Sequence, residues 1–166
     1  EFMYADNAGI VLIAPYLPRF FSMLSLIEGN KFRGEAEQLK AIAALRYVAV
    51  DRENDPDEHS IINRLLTGME ISKPMPRLPE LTKEEKDVCE SLLKGVLANW
   101  QKMKNTSFMA FREAFLMRQG KVEIGGDVIH LTVEEKPYDI LLDSLPWNFR
   151  IIKFPWMEKR IEVKWR

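Results

Sequence analysis

After Gly120 the apolar residues stop recurring every three or four positions and begin to recur every two. Upstream, Val88, Leu92, Val96 and Trp100 follow at four-residue intervals, and Phe108, Phe111 and Phe115 keep a helical stride. Downstream, Val122, Ile124, Ile129, Leu131 and Val133 alternate with polar residues around Gly125-Gly126. The first spacing lines one face of an α-helix and the second lines one face of a strand. A chain that changes period once, and late, calls for helices first and a sheet afterwards. The expected class is α+β: mainly helical, with about five to six helices, a β-hairpin and short C-terminal strands forming a small antiparallel sheet.

Local signals place the elements. Pro15 and Pro18 fit only a first helical turn, where a missing amide hydrogen costs nothing. The first helix therefore starts near residue 15, shows Phe20, Phe21, Leu24 and Ile27 on one side, and stops at Gly29-Asn30. Residues 4–13 read as a lead-in, with Asn7-Ala8-Gly9 as a turn. A second helix covers residues 35–50, with Leu39, Ile42, Ala43 and Val48 at helical spacing. A charged turn (51–57) and a third helix (58–67) follow, with Ile61, Ile62, Leu65 and Leu66 inward and Gly68 as the stop. Pro74, Pro76 and Pro79 make residues 73–79 an extended connector. Thr82 and Glu85 form a capping box, the clearest helix start in the chain. Residues 105–107 can cap the aromatic helix. Gly125-Gly126 suits a two-residue hairpin turn. A short helix at 137–145 and strands around 149–154 and 160–165 complete the reading.

At 166 residues and 46% hydrophobic, the chain can bury one ordinary core. Its net charge of −1 gives no reason to expect a nucleic-acid partner. The basic residues near the end (Lys153, Lys159, Arg160, Lys164, Arg166) alternate with Glu158 and Glu162, the pattern of a solvated strand face. The single cysteine, Cys89, excludes an intramolecular disulfide framework and fits a reducing compartment. The apolar run at 10–27 contains Pro15, Pro18, Arg19, Ser22 and Ser25, so a buried core helix is expected there and not a stable membrane insertion. Glu1-Phe2 has the wording of a cloning remnant, and core-grade residues follow almost at once. The expectation is a single globular domain over residues 1–166, the C-terminal end of a longer protein.

Chemistry-bearing residues are sparse. His59, His130 and Cys89 show no metal-ligand spacing, and Cys89 reads as a small apolar helix residue. His130 falls on the polar phase of its strand. Gly125-Gly126 lacks the following helix and the Gly-Lys-Ser/Thr of a phosphate loop. Asp139 and Asp143 are four apart on a helix, where Asp139 complements the helix dipole. No catalytic residue, cofactor or metal is expected. Trp100 ends a helical stripe and belongs to the core. Trp147 and Trp156 follow prolines at rigid turns, where a large ring can anchor a loop or face a partner. Trp165, next to the terminus on an alternating strand, is the leading partner-binding candidate; the alternative is that it completes the domain's own core with Val163.

The order of several segments resembles the shared region of contractile injection system tape measure proteins. These are the opening from Asn7 through Ile10-Val11-Leu12-Ile13-Ala14-Pro15-Tyr16 to Pro18, then Leu81-Thr82-Lys83-Glu84-Glu85 and a helix ending in Trp100. Met103 to Ser107, Arg112-Glu113-Ala114-Phe115-Leu116-Met117-Arg118-Gln119-Gly120-Lys121 and Tyr138-Asp139-Ile140-Leu141-Leu142-Asp143 follow. Pro146-Trp147, Phe154-Pro155-Trp156-Met157 and Glu162-Val163-Lys164-Trp165 close the series. The resemblance covers nearly the whole chain, and residues 72–79 and 148–150 depart from it. It implies a structural component of a phage-tail-like machine, assembled in the cytoplasm and located inside the tube or at the baseplate. Tape measure proteins set tube length, but even wholly helical this chain would span only about 250 Å. The implied role is therefore a docking domain for tube, spike or baseplate proteins, with homo-oligomerisation open. A cargo- or chaperone-like adaptor and a small hydrolase are the other classes; the hydrolase requires Cys89, His59 or His130 to meet a carboxylate.

Overall fold

The computed structural model describes residues 2–51 and 61–166. Two layers face one another: helices on one side and a five-stranded sheet on the other. A buried helical thread runs between them. This is the α+β class that the period change specifies.

The thread is the apolar run near the start. Residues 8–16 form a 3-10 helix (Ala8–Tyr16) in which every side chain from Ala8 to Ala14 is buried. Being apolar all round, it has no face to turn to water, which is why it lies inside. The first α-helix, α1 (Leu17–Met23), begins at Leu17, with Pro18 in its first turn. It ends at Met23, short of the expected stop. Ser25 at a φ of 60° turns the chain into a two-stranded hairpin, β2 (Ile27–Glu28) and β3 (Lys31–Phe32), with Gly29 at a φ of 66°. Gly29-Asn30 is thus a hairpin turn and not a helix stop. No helix among the described residues is long and apolar enough to cross a membrane.

Helix α2 spans Glu35–Val50, as its spacing specifies. The expected turn at 51–57 and the start of the third helix lie largely outside the described residues. Helix α3 is described over Ile61–Leu66, and Gly68 follows at a φ of 72°. Helix α4 (Lys83–Asn99) carries the full capping box: the Thr82 hydroxyl accepts the Glu85 amide at 3.1 Å, and the Glu85 carboxylate accepts the Thr82 amide at 2.8 Å. Its innermost line is Cys89, Leu93, Val96 and Leu97 leading to Trp100, whereas Val88 and Leu92 sit half-buried beside it. The shift by one residue reflects a wide contact face that covers α2 as well as the thread.

The expected lead-in opens with a strand, β1 (Phe2–Ala5), so one strand of the sheet precedes the helices, its partner lying far along the chain. After α4 comes helix α5 (Phe108–Phe111), which runs into a π-helical turn, Arg112–Leu116. The hairpin is β4 (Gly120–Gly125) and β5 (Val128–Val133), with Val122 opposite Leu131 and Ile124 opposite Ile129. The loop is Gly126-Asp127, one residue later than expected, because Gly125 pairs with Val128 and Gly126 takes the left-handed φ of 57°. Val122, Ile129, Leu131 and Val133 are buried, so the face assignment holds. A 3-10 helix (Pro137–Ser144) then leads to β6 (Ile151–Ile152) and β7 (Arg160–Lys164).

The sheet order is β1-β4-β5-β7-β6. Its β7 runs parallel to β5, Leu131 beside Val163, so the sheet is mixed and not wholly antiparallel. The reason is the connection. The chain between β5 and β7 crosses over through the 3-10 helix and β6, long enough to return β7 in the same direction as β5.

One contact fixes how the thread meets the second half. The Gly9 Cα lies so near the π-helical turn that a Cβ would stand 1.6 Å from the Phe115 carbonyl oxygen. Backbone meets backbone there, and no rotamer change relieves it. Gly9→Ala is expected to destabilise the domain by roughly 1–3 kcal/mol, an overpacking cost. Urea unfolding measures this, and an unchanged midpoint would show that the two segments part freely.

Candidate functional site

The residues singled out from the sequence converge in part, around a pair that periodicity could not reveal. Ser107 caps α5 by accepting the Ala110 amide at 3.1 Å. The π-helical turn that follows sends Arg112 and Arg118 inward. Arg112 reaches the end of α2, donating from Nε to the Val48 carbonyl at 2.9 Å and from Nη2 to that of Tyr47 at 3.3 Å. A cation there meets the last carbonyls of the helix, of which that of Tyr47 also accepts the Asp51 amide at 2.9 Å, and the negative end of the dipole.

Arg118 is fully buried. Its Nε donates to the Ala114 carbonyl at 2.9 Å, its Nη1 to the Glu134 carbonyl at 2.8 Å and to Asp139 Oδ2 at 2.9 Å, and its Nη2 to Asp139 Oδ1. Asp139 also accepts the Lys136 amide at 3.0 Å and the Trp165 indole N–H at 3.0 Å. Three rings surround the guanidinium: Trp165 at 5.2 Å, Tyr138 at 5.4 Å and Phe115 at 5.5 Å. Burial alone would push the Asp139 carboxyl up. The hydrogen bonds from Arg118, the Lys136 amide and Trp165 overcome it and hold the group below the usual carboxylate range. A buried pair saturated in this way stitches three segments together: the end of the π-helical turn, the 3-10 helix and the last residues of the chain. Sequence reading gave Asp139 a dipole role near a helix start and gave Arg118 none, because a lone arginine before a strand carries no periodic signal.

The tryptophans anchor inward. Trp165 is 1% exposed, so it takes the core alternative that its alternating strand also allowed. It lost its place on the surface because Asp139 offers its N–H a partner and Phe149 packs against its ring at 5.6 Å. Trp147 donates to the Leu12 carbonyl at 2.7 Å and meets Tyr16 edge-on at 5.1 Å. Trp156 donates to the Leu66 carbonyl at 2.8 Å among Phe21, Phe32 and Phe154. Both residues are half-buried. Trp100 donates to Ser144 Oγ at 2.9 Å. An amphipathic ring turned inward satisfies its N–H this way.

The other chemistry-bearing residues lie apart. Cys89 is buried between α4 and α2, its Sγ 3.9 Å from the Ala44 carbonyl, and burial pushes its thiol up to about 12. His130 stands on the outer face of the sheet, Nδ1 4.0 Å from Glu162. Asp143 is a surface partner of Arg166, with both carboxylate oxygens at 3.1 Å. His59 lies outside the described residues. Among the described residues no cluster of His, Cys, Asp and Glu has the spacing of a metal site.

Fold and contacts together define an α+β domain whose last strand is inserted into a mixed sheet and clasped by a buried ion pair. The family model of contractile injection system tape measure proteins matches residues 1–165, essentially the whole chain. The protein belongs to that family. No curated protein and no solved structure matches it.

Proposed function

We propose that this chain is a non-enzymatic docking domain of a tape measure protein, acting in tube-length determination and assembly of a contractile injection system. The observation that carries the reading is the family match, which takes in every element of the fold from β1 through β7. The placement of the reactive groups supports it. Cys89 is enclosed in the helical layer with its thiol held protonated, and His130 lies on the opposite surface of the sheet. A thiol hydrolase needs a thiolate and a base within hydrogen-bond reach. The partners are protein components of the machine: tube, spike or baseplate. Trp147 and Trp156, which are half-buried where Trp165 is enclosed, are the proposed contact points. Assembly takes place in the cytoplasm, and the domain then occupies the tube or the baseplate.

The test has two arms. The purified domain is titrated against the tube, spike and baseplate proteins of its own machine, and particles made without the domain are measured by electron microscopy. Saturable binding to one component, together with short or irregular tubes, is the expected result. Tubes of normal, uniform length in its absence would overturn the reading.

A further inference from the structure

The stretch between α3 and α4 is held to the domain in an unusual way. Thr67 and Leu81 are buried, but no residue from 68 to 80 is, and none of them joins a helix or strand. Met69 closes the end of α3 with an amide bond to the Arg64 carbonyl at 2.9 Å. Among the described residues, the main chain from 70 to 80 makes no backbone–backbone hydrogen bond. Two cations take its carbonyls instead. Arg64 Nη1 donates to Lys73 at 2.6 Å, Ile71 at 3.3 Å and Glu70 at 3.5 Å; Lys40 Nζ donates to Glu80 at 3.2 Å. The two anchors sit near opposite ends, and Pro74, Pro76 and Pro79 stiffen what lies between them.

A cavity lies on each side. One, of about 370 Å³, separates the stretch from Ile124, Ile129 and Met157 of the sheet layer. The other, of about 460 Å³, separates it from Glu35 and Gln38 of α2. Gly68, Met69 and Glu70 line both, so a single thickness of chain divides them.

We propose that residues 68–80 are a releasable strap. Of its side chains only Ile71 and Leu78 pack half-buried against the core, and side-chain anchors stand in place of a ladder, so the segment opens while the remainder stays folded, as low-stability segments do. Opening lifts Glu70 and Ile71 away from the first cavity and widens it over the apolar side chains of the sheet layer. Gly68 is the fixed hinge: its φ of 72° and the closeness of the Trp156 carbonyl, 2.3 Å from where a Cβ would lie, lock it in place. Arg64 is the latch.

Thiol labelling tests this with an internal reference. Ile129 is 4% exposed and lines the cavity on the sheet side; Cys89, the native thiol, is 0% exposed in the helical layer away from the strap. In Ile129→Cys, the rate at each thiol is normalised to the unfolded chain. The new thiol is expected to react at least about tenfold faster than Cys89, because strap opening precedes global opening. Adding Arg64→Met should accelerate the new thiol again by about tenfold and leave Cys89 unchanged. Arg64→Lys, which removes the guanidinium and shortens the side chain, serves the same purpose should Arg64→Met not fold. A common rate for both thiols, or a fast new thiol that is insensitive to the anchors, would overturn the proposal.

Discussion

Asp139→Ala is expected to unfold at a much lower urea concentration than the parent chain, with a loss of about 3–5 kcal/mol. The substitution leaves the Arg118 guanidinium charged, fully buried and without its counter-ion, and it orphans the Trp165 indole N–H and the Lys136 amide. Removing one partner of a buried pair costs far more than removing both. The companion variant Asp139→Leu/Arg118→Met should therefore recover much of the loss. The effect has a pH signature. The folded Asp139 is depressed below its ordinary value, so its contribution is present above the unfolded carboxyl range and is lost as pH falls through the folded value. The gap between parent and Asp139→Ala should be full above about pH 5 and narrow below about pH 4. Urea midpoints across that range give the answer. A gap that does not change with pH would show that Asp139 acts by packing and not by charge.

The second large effect is at Trp165. Trp165→Ala should cost about 3–5 kcal/mol, the usual penalty for emptying a buried tryptophan site. A ring that serves a partner would behave in the opposite way, leaving stability within roughly 1 kcal/mol and weakening partner binding by about 2 kcal/mol or more. Calorimetry and a binding titration on the one variant distinguish the two. At 1% exposure, stacked on Phe149 and hydrogen-bonded to Asp139, the ring places its energy in the fold. Trp165 and Asp139 share a hydrogen bond, so their losses should not add. A double-mutant cycle measures the shared part, expected to be of order 1 kcal/mol.

Much of the local structure was legible because it is decided within a few residues. The Glu35–Val50 helix follows from its apolar spacing, the start of α4 from two side chains that cap each other, and the buried face of the hairpin from alternation. These are short-range effects, and a pattern of neighbours records them. Errors of a residue or so arose where the same signal admits two registers. Gly125-Gly126 allows a turn at either step, and α4 presents a broad inner face. The early apolar run misled in another way. Continuous hydrophobicity specifies burial, but it does not choose between a long α-helix and a 3-10 thread followed by a short helix and a hairpin.

What the sequence by itself determined is the class, the identity of most core residues and, through the order of its segments, the family. The order of helices before sheet failed at β1, which opens the chain and joins the sheet through β4. Tertiary structure decided which strand β7 joins and in which direction, where Trp165 goes, and that Arg118 and Asp139 meet. Those outcomes depend on groups distant along the chain: 21 residues separate Arg118 from Asp139, and 26 separate Asp139 from Trp165. A charge is buried only where a matched partner arrives with it. No local pattern announces that arrival; only the closed fold brings the two side chains into the same dry space.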